Sequence, residues 1–195
     1  TALSWAVRWI LADADVEAKL RAELGGAGEL TPQRIQALPY LDACAREALR
    51  LNPIIPIVGR ITTRDLSLGG YELAKGTGIV CSIYLAQRRP DVFPDPTRFN
   101  PERFLESAPG RPSGGRRIAP YEFFPFGGGI RRCIGMAFAL LEMKMVLARL
   151  FTRTTMKLES PHAIGYERRS ITLVPSEGLR VRLVERSPRA ARVAA

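Results

Sequence analysis

Cys133 has the best setting for chemistry of any side chain in this sequence. It lies in the stretch F-F-P-F-G-G-G-I-R-R-C-I-G-M-A-F-A-L-L-E-M-K, which begins at Phe123. Gly127, Gly128 and Gly129 leave the backbone bare, so it can come close to something flat or large. Arg131 and Arg132 place cations beside the sulfur. The apolar run that follows predicts a helix over 134–151, with the N–H groups of Ile134, Gly135 and Met136 aimed back at the sulfur. Cations and a helix N-terminus both favour a thiolate, the form that binds metal. The chain holds 3 cysteines and 1 histidine. They are far apart and show no zinc-type spacing. A four-ligand zinc site or an iron–sulfur cluster does not fit, because each needs several ligands close together. A lone axial thiolate on haem iron needs only one protein ligand, and a flat macrocycle would use the bare glycines. The competing chemistry, a nucleophilic cysteine, requires a neighbouring base. His162 follows E-S-P in a loop and reads as ordinary surface. Cys44 and Cys81 read as buried, inert residues of a helix and a strand.

The elements that must position this loop are legible in outline. Residues 1–24 read as one long helix or as two consecutive helices broken near Asp13 and Asp15, with Leu3, Val7, Ile10 and Leu11 on one face. G-G-A-G-E-L ends that run. Thr31 caps a short helix with Pro32 at its first position. Residues 38–51 predict a strong helix, with Leu41, Ala45, Ala48 and Leu49 on its apolar face, closed by Pro53. From Ile54 the sequence becomes β-branched and glycine-punctuated, which predicts three or four short strands with hairpin turns. R-R-P-D-V-F-P-D-P-T-R-F-N-P-E-R-F is too rich in proline for regular structure and predicts an irregular, packed excursion. Beyond the cysteine helix, short strands are predicted at 156–158, 171–174 and 179–184, with P-S-E-G as the turn between the last two. Residues 187–195 predict a disordered basic tail.

Bulk properties narrow the function classes. At 195 residues, 46% hydrophobic and 25% charged, the chain has the size and composition of one globular domain. No apolar run reaches the ~20 residues that span a bilayer, so no membrane segment is expected. Odd, dispersed cysteines suit free thiols in a reducing, cytoplasmic setting. The net charge of +10 raises nucleic acid as a partner. However, Arg111, Arg116 and Arg117 sit in a Gly/Pro/Ser loop, Arg186, Arg189 and Arg192 sit near the C-terminus, and neither group interleaves aromatics with basic residues. A basic face for an acidic protein partner is the reading retained. The opening residues fall inside a helical pattern with no N-cap, no Met and no signal peptide, so the chain is expected to belong to something longer.

Phe126, Gly129, Arg131, Cys133 and Gly135 match F-x-x-G-x-R-x-C-x-G residue by residue. This segment resembles the haem-binding loop of the cytochromes P-450, the haem-thiolate monooxygenases. E-A-L-R, with Glu47 and Arg50, and F-N-P-E-R-F, with Arg103, precede it in that family's order. Read as residues alone, Glu47 and Arg50 are an i, i+3 surface pair contributing a few tenths of a kcal/mol. The resemblance implies instead that Glu47, Arg50 and Arg103 form a buried network near the haem. It implies a mainly α fold with small β-sheets, the C-terminal half of the family's domain, over 1–186. It implies haem b (iron protoporphyrin IX) as cofactor, Cys133 as the axial iron ligand, and Phe126, Gly129 and Gly135 in the binding loop. Arg60, in G-R-I-T-T-R-D, and Arg131 would meet the two propionates. N-P-I-I-P-I-V resembles the substrate-lining segment, which makes Ile54, Ile55 and Ile57 pocket candidates, and Ile171 and Thr172 match a second lining turn. Plain core packing is the alternative for all five.

By the same resemblance, the complete protein would insert one oxygen atom from dioxygen into an apolar small molecule. Electrons would come from an acidic ferredoxin- or flavodoxin-like partner docking near Arg131, Arg132 and Lys144. The acid–alcohol pair that delivers protons should lie just ahead of Thr1, so no catalytic residue is assigned. Without the N-terminal helices and lid, this chain is expected to bind haem weakly and turn over poorly. Gln87 stands where many relatives have histidine and receives no role. Two alternatives stay open: a haem-thiolate isomerase or dehydratase that does not use dioxygen, and a truncated, catalytically impaired haem-binding protein.

Overall fold

Asp13 divides the first apolar stretch in two. In the structure, a computed structural model that describes residues 1–105, 118–160 and 164–186, helix α1 (Ala2–Leu11) ends just ahead of it and α2 (Ala14–Gly26) begins just after. Its carboxylate accepts from the N–H groups of Asp15 (3.1 Å) and Val16 (3.2 Å), satisfying two donors that a helix start leaves unpaired. Thr31 caps α3 (Pro32–Gln36) through a single donor, accepting from Arg34 N at 3.2 Å. Helix α4 (Pro39–Leu51) is the most buried element. Leu41, Ala45, Ala48 and Leu49 face the core as expected, and so do Glu47 and Arg50.

Strand β1 (Ile57–Ile61) is followed by the hairpin β2 (Leu66–Leu68) and β3 (Tyr71–Leu73), and then by β4 (Gly78–Ser82), which pairs back antiparallel to β1. One hairpin is thus nested inside another pair. A short helix α5 (Ile83–Ala86) leads into the proline-rich segment, whose only regular piece is a 3₁₀ turn at Pro101–Phe104. The cysteine loop contains a second 3₁₀ turn, Gly129–Arg131. Helix α6 (Met136–Arg153) follows and leads into β5 (Thr154–Leu158). It starts two residues later than the apolar pattern suggests, because Gly135 is the N-cap.

The last strands differ from expectation. An additional strand, β6 (Tyr166–Arg169), pairs with β7 (Thr172–Pro175), while β8 (Val181–Arg186) returns to β5. P-S-E-G therefore connects two separate sheets rather than two paired strands. The architecture is mainly α with small antiparallel sheets. One core cluster gathers Ile10, Leu20, Ile35, Leu41, Leu147 and Phe151, so α1, α2, α3, α4 and α6 share it. Each such side chain contributes roughly 1.5–3 kcal/mol on burial.

Cys44 is buried, and burial pushes its thiol well above the ordinary range. Cys81 is exposed on β4, correcting the expectation that it is buried: a two-stranded sheet covers little of its own surface. His162, Arg111, Arg116, Arg117 and the tail 187–195 lie outside the described residues. Among the described residues no helix is long and apolar enough to cross a membrane.

Candidate haem site

The approach to Cys133 is built from tight turns. Phe124 O accepts from Gly127 N at 2.8 Å, and Phe126 O accepts from Cys133 N at 3.0 Å. Gly127 (φ +74°) and Gly129 (φ +66°) adopt left-handed backbone, which side chains disfavour. At Gly128 a Cβ would meet the Tyr121 ring at 2.8 Å. Gly127 and Gly129 are thus favoured by turn geometry before any ligand is considered, whereas at Gly128 the exposed Tyr121 ring is the group a side chain would displace. Of the three N–H groups expected to face the sulfur, that of Met136 is directed to the Cys133 carbonyl (3.4 Å). Cys133 is exposed, as are Arg131 and Arg132.

Cys133 opens onto a cavity of about 1210 Å³, larger than the ~300–1,000 Å³ typical for a drug-sized ligand. Its walls come from β1 and β4 (Val58, Ile61, Ile79, Val80), from Ile54 and Ile55, and from Ala139 and Met143 on α6. Arg60, Phe126, Arg131 and Thr172 line the same space. The structure therefore brings Cys133, Arg60, Arg131, Phe126, Ile54, Ile55 and Thr172 together. It does not bring in Ile57 (53% exposed) or Ile171 (67% exposed), which are solvent-facing and outside the lining. Gly129 lines a second cavity, of about 450 Å³, that also contains Arg46, Tyr121 and Arg132. Gly135 lines neither and serves as the cap of α6. Thr172 spends its hydroxyl on Arg169 O (2.8 Å), and Leu173 N ties this turn to Ile54 O (2.9 Å). Sequence reasoning missed Val58, Ile79, Val80 and Met143, because strand and helix periodicity does not tell a cavity-lining side chain from an ordinary core or surface one.

The donor set fits haem. One sulfur can supply an axial bond to iron, and apolar walls suit the porphyrin faces. Among the described residues neither guanidinium, of Arg60 nor of Arg131, is ion-paired with a side chain; Arg60 donates there to its neighbour's carbonyl, Gly59 O at 2.7 Å. Guanidinium groups so placed suit carboxylates, which they bind in bidentate fashion.

Behind the cysteine loop, Glu47 and Arg50 form a fully buried pair rather than a surface one. Arg50 Nε donates to Glu47 Oε2 (2.7 Å) and Nη2 to Oε1 (2.9 Å). Asn100 N (2.9 Å) and Arg103 Nε (3.3 Å) also donate to Glu47 Oε1. Burial pushes the Glu47 carboxyl up, against the pull of Arg50, Asn100 and Arg103. The remaining Arg50 N–H groups reach the carbonyls of Gln87 (2.9 Å), Pro96 (2.8 Å) and Arg98 (3.2 Å). Arg103 donates to Asp95 O (2.9 Å). One ion cluster thereby holds the proline-rich segment, which has almost no ladder of its own.

Lys144 departs from expectation. It is 5% exposed, with Nζ bonded to Gln36 O (3.1 Å) and Asp42 Oδ1 (3.0 Å). It joins α3, α4 and α6 and is not available to a docking partner. Gln87, given no role from sequence, is fully buried between α4 and the cysteine loop.

Comparison with known proteins agrees with this construction. The family model for cytochrome P450 matches residues 1–179. A putative cytochrome P450 135B1 of Mycobacterium tuberculosis is 32% identical over 185 residues, covering 94% of this chain and 36% of the relative. A probable cytochrome P450 4s3 of Drosophila melanogaster is 37% identical over 150 residues, covering 77% and 28%. The crystal structure of the cytochrome P450DA heme domain superposes with a TM-score of 0.81 at 27% identity, over 94% of this chain and 40% of that one. The chain belongs to the cytochrome P450 family, a family of haem-thiolate monooxygenases. It spans about a third of the length of the curated relatives it matches.

Proposed function

We propose that this chain holds haem b through Cys133 as axial iron ligand, with Arg60 and Arg131 on the propionates. The observation that carries the reading is that one thiol and two guanidinium groups open onto a single apolar cavity. Haem, when bound, supplies dioxygen activation, and a thiolate ligand favours O–O cleavage. Cys133 presents its sulfur from a loop fixed at both ends. Ile54, Ile55 and Thr172 offer an apolar wall suited to an apolar small-molecule substrate. In a complete domain, of which residues 1–186 form a part, the reaction is insertion of one oxygen atom from dioxygen into that substrate. An acidic electron-transfer partner would meet Arg132 rather than Lys144, which is buried. Free thiols in the described residues suit a reducing compartment such as the cytoplasm.

The test is the absorption spectrum of the reduced, CO-bound chain after haem addition. The expected result is a thiolate-shifted Soret band, lost in Cys133→Ala and kept in Cys44→Ala and Cys81→Ala. An unshifted band in the unaltered chain, or a shifted band in Cys133→Ala, would overturn the assignment.

A further inference from the structure

The end of α4 is capped from a distance. Its final carbonyls have no partner within the helix. Ala48 O accepts from Asn52 N at 2.8 Å. Leu49 O and Arg50 O both accept from Gln87 Nε2, each at 3.1 Å. Leu51 O accepts from Arg88 Nη2. The Gln87 amide thus uses both its N–H groups on the helix that carries Glu47 and Arg50. Its oxygen does something a cap does not need: it accepts from Phe124 N at 3.0 Å. From there the hydrogen bonds run toward the sulfur. Phe124 O holds Gly127 N, and Phe126 O holds Cys133 N.

We propose that Gln87 is a positioning residue for Cys133, locking the cysteine loop to the end of α4 through one side-chain amide. The consequence for iron ligation rests on the haem-thiolate reading above. A primary amide is suited to this place because it offers two donors and an acceptor on a single planar group. Methionine offers no donor and only a weak acceptor. Neutral imidazole offers one of each, enough to keep Phe124 N paired while releasing one helix carbonyl. Gln87 is fully buried, so water cannot replace what a substitution removes.

The experiment compares Gln87→Met, Gln87→His and Arg88→Met in the full chain, with two readouts. The first is backbone amide exchange at Phe124 and Cys133 without haem. The second is the share of thiolate-shifted Soret absorbance after reduction and CO addition. Gln87→Met should speed exchange at both amides by roughly 3–10-fold, the value of one hydrogen bond, and move part of the Soret band to the unshifted position. Gln87→His should restore both readouts toward the unaltered chain. Arg88→Met removes the neighbouring capping donor without touching Phe124. It should lower the melting temperature while leaving the Cys133 amide and the Soret band unchanged.

Equal effects from Arg88→Met and Gln87→Met would mean that general loosening of α4 is responsible, and would overturn the proposal. So would a Gln87→Met chain whose loop exchange is unaltered. A chain that gives no thiolate band at all defeats the haem reading alone. The exchange measurement needs no haem and still decides whether Gln87 holds the loop.

Discussion

Arg50 shows how much structure one guanidinium can fix. It grips Glu47 twice and donates to three carbonyls of the proline-rich segment and its approach. Replacing a buried pair wholesale with apolar groups can be neutral, but removing one partner leaves a charge without compensation. Arg50→Met is therefore expected to lose about 3–5 kcal/mol in urea unfolding. The loss should depend on pH. Burial already pushes the Glu47 carboxyl up, and without Arg50 it rises further. A carboxyl raised above its unfolded value of about 4.3 binds its proton more tightly when folded. Its contribution to stability is full below that unfolded value and is lost as pH rises through the folded one. The deficit of Arg50→Met should thus narrow as pH falls from about 7 toward about 5. A deficit that widened toward acid would show that Glu47 is not the stranded group.

Among the elements, Lys144 separates a structural charge from a docking charge. It holds the last carbonyl of α3 and an acid in the first turn of α4, where a helix C-terminus and an N-terminal carboxylate both favour it. Lys144→Met should cost about 1.5–3 kcal/mol, the value of hydrogen bonds to a charged group, measured by thermal unfolding. Binding of an acidic flavodoxin at low salt should be unaffected by it and weakened by Arg132→Glu. From sequence alone, Lys144 is a polar residue on an amphipathic helix, because Gln36 and Asp42 arrive from more than a hundred residues away. Signals that act within a turn were legible: the break near Asp13, Thr31 as a cap, Pro32 at a first position, Pro53 as a stop. Tyr166–Arg169 was not, since Y-E-R-R carries no apolar alternation and is a strand only through its pairing with β7. Which of the isoleucines in N-P-I-I-P-I-V meet the cavity depends on where β1 begins. Ile54 and Ile55 precede the strand and turn inward, while Ile57 starts β1 facing solvent. Gln87 escaped for the same reason as Lys144: its partners, Leu49, Arg50 and Phe124, are each 37 or 38 positions distant.

Over the whole molecule the cavity is a large apolar surface without a protein cover among the described residues. Of its lining side chains, Ile61 is 71% exposed and Val80 64%. Apolar patches of this kind mark binding surfaces, so part of the stability of this chain should reside in its ligand. A ligand that binds only the folded state, supplied at about a hundred times its Kd, adds about 2.7 kcal/mol. For a chain of this length that corresponds to a rise in melting temperature of roughly 5–11 °C. Comparing haem with iron-free protoporphyrin IX separates the contributions. Both carry the carboxylates and the apolar face, and only haem can bond to sulfur. Haem should give the larger rise, and Cys133→Ala should reduce its effect to that of the iron-free ring. Arg60→Leu and Arg131→Leu should lower the rise for both porphyrins, because each removes a charge-assisted bond to a carboxylate. Equal rises for haem and the iron-free ring in the unaltered chain would mean that Cys133 contributes no bond, whatever the porphyrin does in the cavity.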